Sequence, residues 1–317
     1  MHEACTAHGY SEAMNPCPSR RSLLLAGLGA WVGGRWGAAI AAGPDPARPV
    51  TKLMALERAH GGRLGVSILD TVGGRRINHR GEQRFALCST FKPLAAALVL
   101  ARVDRGEERL DRRIAYKRGD LVAYSPVTER HADAPGMTLA ELCHAAVTVS
   151  DNTAGNLLLA SFGGPPALTA FLRTLGDQAT RLDRIEPALN DVPPGDERDT
   201  TTPAAILHSL QALLLGDALS AASRAQLIEW LVASTTGSKR LRAGMPVDWR
   251  VGDKTGTGQR GATNDVAILW PPARAPLLVA AYYDAPDEME AELRDGVLAE
   301  VGRIVAGLVD GTQRAAS

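Results

Sequence analysis

The sequence predicts an α/β plus all-α protein: an antiparallel sheet flanked by helices and built from both chain ends, with an all-helical lobe inserted between them. Strand-like apolar runs stand near both ends, in RLGVSILDT and GRRINHR early and in WRVGDKT, NDVAILW and APLLVAAYY late. Between them, from Ser89 to about Leu231, the pattern is mostly helical. A chain of 317 residues is also long enough to bury a full core as one large domain or two lobes. The expected boundaries are 42–84 with 235–317 for the α/β lobe and 85–234 for the helical lobe.

Each element has a local reason. A helix around 46–60 opens the folded chain. The first two strands join at Gly73-Gly74, a pair that accepts the positive φ of a tight hairpin. In CSTFKPLAAALVL a helix opens at Ser89. Thr138 and Glu141 form a capping box for TLAELCHAAV, hydroxyl and carboxylate each serving one orphan N–H. Pro165 and Pro166 stand where ALTAFLRTL should begin, because proline has no N–H to lose in a first turn. An amphipathic helix from about Asp287 to Leu308 closes the chain. A cleft between two lobes is where a small-molecule site usually forms.

Charge is balanced, 35 basic against 35 acidic residues, so nothing pulls the chain toward nucleic acid or acidic membranes. The seven His are scattered, with no H-E-x-x-H or C-x-x-C, and neither a metal nor a cofactor is expected. A monomer acting on a small molecule is the expectation. At the N-terminus, SRRSLLLAGLGAWVGGRWGAAIAAG carries Arg20 and Arg21 before a short Gly-interrupted apolar stretch, then Ala39-Ile40-Ala41 as an A-x-A cleavage pattern. Residues 1–41 resemble a twin-arginine export signal, which implies a periplasmic or secreted protein with no membrane attachment after its removal. Met14 is an alternative start, since residues 1–13 add nothing to such a signal. Removal leaves Cys88 and Cys143, each in an apolar helical context and expected to be an unpaired thiol.

Three short patterns carry the chemistry. Ser89 and Lys92 stand three residues apart at the front of a helix, where they share a face. A serine hydroxyl is a weak nucleophile that needs a base and an oxyanion hole. The mature chain holds only five lysines (52, 92, 117, 239 and 254), and lysine, unlike arginine, can be tuned to release a proton. VSDNTAGN places Ser150, Asp151 and Asn152 at the front of a helix, and VGDKTGTG places Lys254, Thr255 and Gly256 at the end of a strand. Each is weak alone, but S-x-x-K, S-D-N and K-T-G in this order form a known set.

In these motifs the sequence resembles the superfamily of penicillin-binding proteins and serine β-lactamases, and more particularly the class A serine β-lactamases, over residues 45 to 310. RIEPALN adds the feature that separates the two branches: Glu186 and Asn190 in E-x-x-L-N spacing, inside a loop over 181–199. By resemblance this is the omega loop, whose Glu and Asn hold a water against an acyl-enzyme. The resemblance implies hydrolysis of penicillins and cephalosporins, giving antibiotic resistance. It makes Ser89 the nucleophile, with an oxyanion hole from the N–H groups of Ser89 and Thr257. Lys92 and water-linked Glu186 remain alternative bases for acylation. Ser150 would protonate the lactam nitrogen with help from Lys254, Asn152 would bind the substrate's side-chain amide, and Tyr124 of YSPVTERH would wall the cleft. Arg184 and Asp199 would tie the loop ends by a salt bridge, and Glu186-Pro187 is a candidate cis bond.

Departures from the family bear on specificity. The substrate carboxylate needs a cation or strong donors besides Thr255 and Thr257. Many relatives have Arg where this chain has Thr263; Arg240 is the first replacement, Arg294 the second, and Thr236 could add a hydroxyl. Gly258 stands where carbapenem-hydrolysing relatives place a cysteine that bridges the one before the nucleophile, and Ala96 where some penicillinases place the partner of Cys143. Thr257 with Gly258 leaves room for bulky cephalosporins. Two other readings share the first three motifs: a peptidoglycan D-alanyl-D-alanine peptidase, which leaves Glu186 and Asn190 unexplained, and a covalent β-lactam sensor, which would need a membrane-spanning segment.

Overall fold

Five strands form one sheet in the order β2-β1-β9-β8-β7, every neighbouring pair antiparallel. The computed structural model describes residues 47–316, with side chains over 48–309, so the expected export signal lies outside the described residues. Helix α1 (Ala47–His60) leads into β1 (Arg63–Asp70) and β2 (Arg75–His79). The hairpin between those strands holds Gly73 and Gly74 at positive φ. Strand β1 then pairs along its whole length with the last strand, β9 (Leu277–Asp284), in the register Ser67↔Ala280. That pairing joins the two chain ends in one sheet, as the sequence predicts. Strands β7 (Arg250–Thr257) and β8 (Ala262–Trp270) complete it, with β7 on the edge.

The late strands read as continuous apolar runs because both faces of the sheet are covered. Along β9 the side chains alternate between two cores. Leu278, Ala280 and Tyr282 face the helical block, whereas Val279, Ala281 and Tyr283 face α1 and α8 (Ala291–Ala316). Each fully buried Leu or Val there contributes on the order of 2 kcal/mol. The closing helix starts four residues later than the sequence suggested, at Ala291 instead of Asp287, beyond the turn in which Met289 N donates to Pro286 O.

Between the two sheet halves the short β3 (Phe85–Ala86) pairs β6 (Thr200–Thr201), and β4 (Arg113–Ile114) pairs β5 (Met137–Thr138). The rest is helical: α2 (Lys92–Asp104), α3 (Leu139–Thr148), α4 (Asn152–Ser161), α5 (Gly164–Thr174), α6 (Pro203–Leu214) and α7 (Ala221–Val232). The Thr138–Glu141 capping box forms in both directions, and α5 carries proline in its first turn. The helical block has no core to itself: Leu94, Leu142, Leu158 and Leu207 pack in one cluster with Val266 and Tyr282 of the sheet.

One local expectation changes. Ser89 does not open α2 but lies in a 3-10 turn over Cys88–Phe91, and α2 starts at Lys92. Pro93 is the physical reason. It has no N–H to offer the carbonyl of Ser89, so Lys92 N–H takes that carbonyl in a tighter turn.

A second 3-10 turn, Leu241–Gly244, lies against α8 at the level of the sheet edge. A Cβ on Gly244 would sit 2.1 Å from Ala299 O and 2.6 Å from Arg303 N, both main-chain atoms that cannot swing aside. Gly244→Ala is therefore expected to lower the thermal midpoint by about 5 °C, followed by circular dichroism, since overpacking costs a few kcal/mol. An unchanged midpoint would mean that the turn and α8 separate freely.

Candidate active site

Burial of Lys92 organises the site. It is the first residue of α2 and has no exposed surface, and Gly155 of α4 lets that helix approach it closely. Its Nζ lies 2.9 Å from Ser89 Oγ, 2.8 Å from Ser150 O, 2.7 Å from Asn152 Oδ1 and 3.1 Å from Glu186 Oε1. Ser150 Oγ stands slightly farther away, at 3.3 Å. An ammonium has three protons, so these five acceptors compete for it. Burial drives the amine toward its neutral form and lowers its pKa, while the Glu186 carboxylate opposes that shift. Ser89 Oγ in turn donates to Glu186 Oε1 at 3.2 Å. The hydroxyl thus touches both a depressed lysine and a buried carboxylate.

The link between α3 and α4 supplies the next groups. Ser150 adopts a left-handed φ of 62°. Asp151 caps α4 by accepting from Ala154 N, and its carboxylate also accepts from Val127 N, Thr128 N and Thr128 Oγ1. Four donors on one buried carboxylate fasten the Tyr124 loop to the helix. Tyr124 is 61% exposed and stands on the rim of the cleft. Asn152 Oδ1 accepts from Lys92 Nζ, and Nδ2 donates one proton to Ala123 O, so one amide proton stays free for a ligand.

Strand β7 closes the other side. Lys254 is fully buried, and its Nζ donates to Ser150 Oγ at 2.9 Å and Thr255 O at 2.7 Å. Burial, and next the charge of Lys92, push its pKa well below the usual lysine value. Ser150 Oγ therefore sits between two lysines. The Thr255 and Thr236 hydroxyls are 2.7 Å apart. Arg240 binds the main chain through Nη1 (Gly256 O and Asn264 O), Thr257 Oγ1 through Nη2, and Asp295 through Nε. Four of its five N–H groups are spent in this way, which leaves one. Arg240 lines the cleft, whereas Arg294 lies on α8 and does not line it. Thr263 turns its hydroxyl back to Gly261 O.

The loop over 181–199 brings in the second carboxylate. Arg184 Nε donates to Asp199 at 2.5 Å, and Asp199 also accepts from the N–H groups of Asp183 and Arg184. The Glu186-Pro187 bond is cis. Asn190 Nδ2 donates to Glu186 Oε2 at 2.5 Å, while Asn190 Oδ1 is buried and has no partner among the described residues. Sequence reasoning missed Asn156. Its amide donates to Glu186 O and accepts from Glu186 N, both at 2.9 Å, and so clamps the loop to α4. It stands last in VSDNTAGN, one helical turn beyond Asn152, so helical spacing was the available signal. Asp295 was missed too, because nothing local relates it to Arg240.

Ser89, Ser150, Asn152, Thr236, Arg240 and Thr257 meet around a cleft of about 370 Å³. A larger hollow of about 730 Å³ lies outside Pro193 and Pro194 of the loop, but it holds no nucleophile, so chemistry and not volume identifies the site. Cys88 and Cys143 are free and buried, and burial raises both thiol pKa values. A serine held between a lysine and a carboxylate, with a second serine between two lysines, can form and hydrolyse an acyl-enzyme.

Comparison with known proteins agrees. The family model described as the beta-lactamase enzyme family matches residues 48–309. The β-lactamase CTX-M-8 of Citrobacter amalonaticus is 50% identical over 254 residues, covering 80% of this chain and 87% of its own. The β-lactamase FAR-1 of Nocardia farcinica is 51% identical over 251 residues, 79% of this chain and 80% of its own. Among solved structures, an ancestral class A β-lactamase is 64% identical with a TM-score of 0.80, covering 82% of this chain and 99% of its own. PenP, a putative class A β-lactamase from Rhodopseudomonas palustris, is 60% identical with a TM-score of 0.80 over the same shares.

The depressed Lys254 has a consequence for stability. Between its folded value and the ordinary lysine value of about 10.4, the unfolded chain binds more protons, so this residue's contribution to stability rises with pH there. Below that window the buried charge is a cost. Lys254→Met, of similar length and without the charge, is expected to melt a few degrees higher than wild type at pH 7. The gap should shrink as pH rises through that window; a deficit that does not vary with pH would refute the assignment.

Proposed function

The chain belongs to the class A β-lactamases, and we propose that it hydrolyses the β-lactam amide of penicillins and cephalosporins through an acyl-enzyme on Ser89, conferring resistance. The observation that carries the reading is the convergence of Lys92 and Glu186 on one hydroxyl, Ser89 Oγ, at 2.9 and 3.2 Å. Ser89 Oγ attacks the lactam carbonyl and loses its proton to Lys92, or to Glu186 through a water. The N–H groups of Ser89 and Thr257 take the developing oxyanion, an arrangement worth about 10²–10³ in rate per donor. Ser150 Oγ passes its proton to the lactam nitrogen as the C–N bond breaks, and the neighbouring lysines replace it. In deacylation Glu186 takes a proton from water, the resulting hydroxide attacks the acyl carbonyl, and the acyl C–O bond to Ser89 breaks as Ser89 Oγ takes the proton back from Glu186. The unpartnered Asn190 Oδ1 beside Glu186 suits an acceptor for that water.

In this reading the substrate carboxylate meets hydroxyls before cations. Thr257 Oγ1 accepts from Arg240, so its own proton is free to donate, strengthened by the guanidinium behind it. The Thr236–Thr255 hydroxyl pair and Gly256, at the same strand edge, complete the pocket. Arg240 is preferred to Arg294 because only Arg240 lines the cleft. Glu186 and Asn190, joined by a 2.5 Å hydrogen bond, favour turnover over the persistent adduct of a peptidase or sensor. Among the described residues no helix is long and apolar enough to cross a membrane. The proposal includes a twin-arginine leader over 1–41, periplasmic or secreted placement, two lobes meeting at the cleft, and a monomer.

Residues 42–317 mixed with excess chromogenic cephalosporin are expected to turn over continuously. Glu186→Ala should release about one equivalent and stop, holding a stable acyl-enzyme that mass spectrometry detects. A wild-type burst of one equivalent without turnover would overturn the hydrolase reading.

A further inference from the structure

Beneath the carboxylate pocket lie two acids that the mechanism does not use. Asp253 of β7 and Asp265 of β8 are both fully buried. Thr255 pairs with Asp265 across the ladder, and Asp253 stands two residues before Thr255, so all three side chains share one face of the sheet. Lys254 projects from the opposite face.

Against this face lies the segment that carries Arg240, and three successive residues pin it down. Arg240 binds Gly256 O and Asn264 O, Leu241 N donates to Asp265 Oδ2 at 3.1 Å, and Arg242 binds Asp253 Oδ1 at 2.9 and 2.5 Å. The charges then pair off. Asp253 has Arg242 and the hydroxyl of Ser234, and Arg240 has Asp295. Lys254 is engaged by Ser150 Oγ and Thr255 O. Asp265 receives one neutral amide N–H on Oδ2, and its buried Oδ1 has no partner among the described residues. An anion there would be desolvated without a counter-ion, a state proteins avoid by protonation.

We propose that Asp265 is a positioning residue for substrate recognition, holding the Arg240 segment against the sheet as a neutral carboxylic acid. The inference rests on the β-lactamase reading above. Neutrality matters because an ionised Asp265 would draw on the guanidinium charge that polarises Thr257. The charged groups around it are Asp253 on its own face of the sheet, Lys254 on the opposite face and Arg240 from the pinned segment, with Arg242 and Asp295 held by their own partners. Burial, then the charge of Asp253, raise the Asp265 pKa well above the carboxylate range, while Arg240, the Leu241 N–H and Lys254 act against the shift.

The test has a spectroscopic arm that needs no turnover and a kinetic arm that does. In the infrared difference between wild type and Asp265→Asn at pH 7, the C=O stretch of a protonated carboxyl should appear in wild type alone. Asp265→Asn keeps a neutral acceptor for Leu241 N, so its kcat/KM should stay within about twofold of wild type at pH 7. Its KM should also rise less with increasing pH than that of wild type, in which Asp265 can ionise. Asp265→Ala removes the acceptor and should raise KM about tenfold with kcat within about threefold. Lack of the carboxyl band, or an Asn variant as impaired at pH 7 as the Ala variant, would overturn the neutral acid. A wild-type KM in Asp265→Ala would overturn the positioning role. If the Ala variant does not fold, the Asn variant and the spectrum decide. If wild type itself does not turn over, the β-lactamase reading fails, and the infrared arm still decides the protonation of Asp265.

Discussion

A lysine amine with no access to water must be surrounded by acceptors, and the acceptors of Lys92 come from three distant parts of the chain. Ser89 belongs to the turn that enters α2, Ser150 and Asn152 to the link between α3 and α4, and Glu186 to the loop over 181–199. Leaving any of them out strands a buried charge or a buried acceptor, at a cost of several kcal/mol. One amine thereby dictates how three segments meet. The Asn156 clamp and the Arg184–Asp199 pair hold the loop where Lys92 requires it.

The same site keeps its charges in conflict. Lys92 and Lys254 flank Ser150, and the Lys254 amine is easier to hold neutral because Lys92 is near. Such an arrangement lowers stability and raises reactivity, since a lysine whose pKa is lowered by burial gives up its proton more readily. At the sheet edge Arg240 gives most of its donors to the protein itself, so its charge reaches the cleft largely through the hydroxyl of Thr257. Four bonds to fixed protein groups hold the guanidinium of Arg240 in one orientation beside the cleft.

Much of the fold was legible locally. The Gly73-Gly74 hairpin, the Thr138–Glu141 box and the prolines that open α5 each depend on residues within one turn of one another. The late strands were legible as apolar runs of strand length, and their continuity reflects a sheet covered on both faces. The start of α2 was placed at Ser89, three residues early, because the conflict between Pro93 and the Ser89 carbonyl appears only when the hydrogen bonds are counted.

By itself the sequence determined which side chains are available and which small motifs they form. Ser89 with Lys92, Ser150 with Asn152, Lys254 with Thr255, and Glu186 with Asn190 are local spacings that one turn of helix, strand or loop suffices to present. Only the tertiary structure decided which of them touch: that Ser150 bridges two lysines, that Asn156 grips Glu186, that Arg240 and not Arg294 reaches the cleft, and that Asp295 and Asp265 stand near it. These pairs lie 24 to 104 residues apart along the chain. Coulombic and hydrogen-bond energies depend on distance in space and on burial, and neither quantity is written in sequence order.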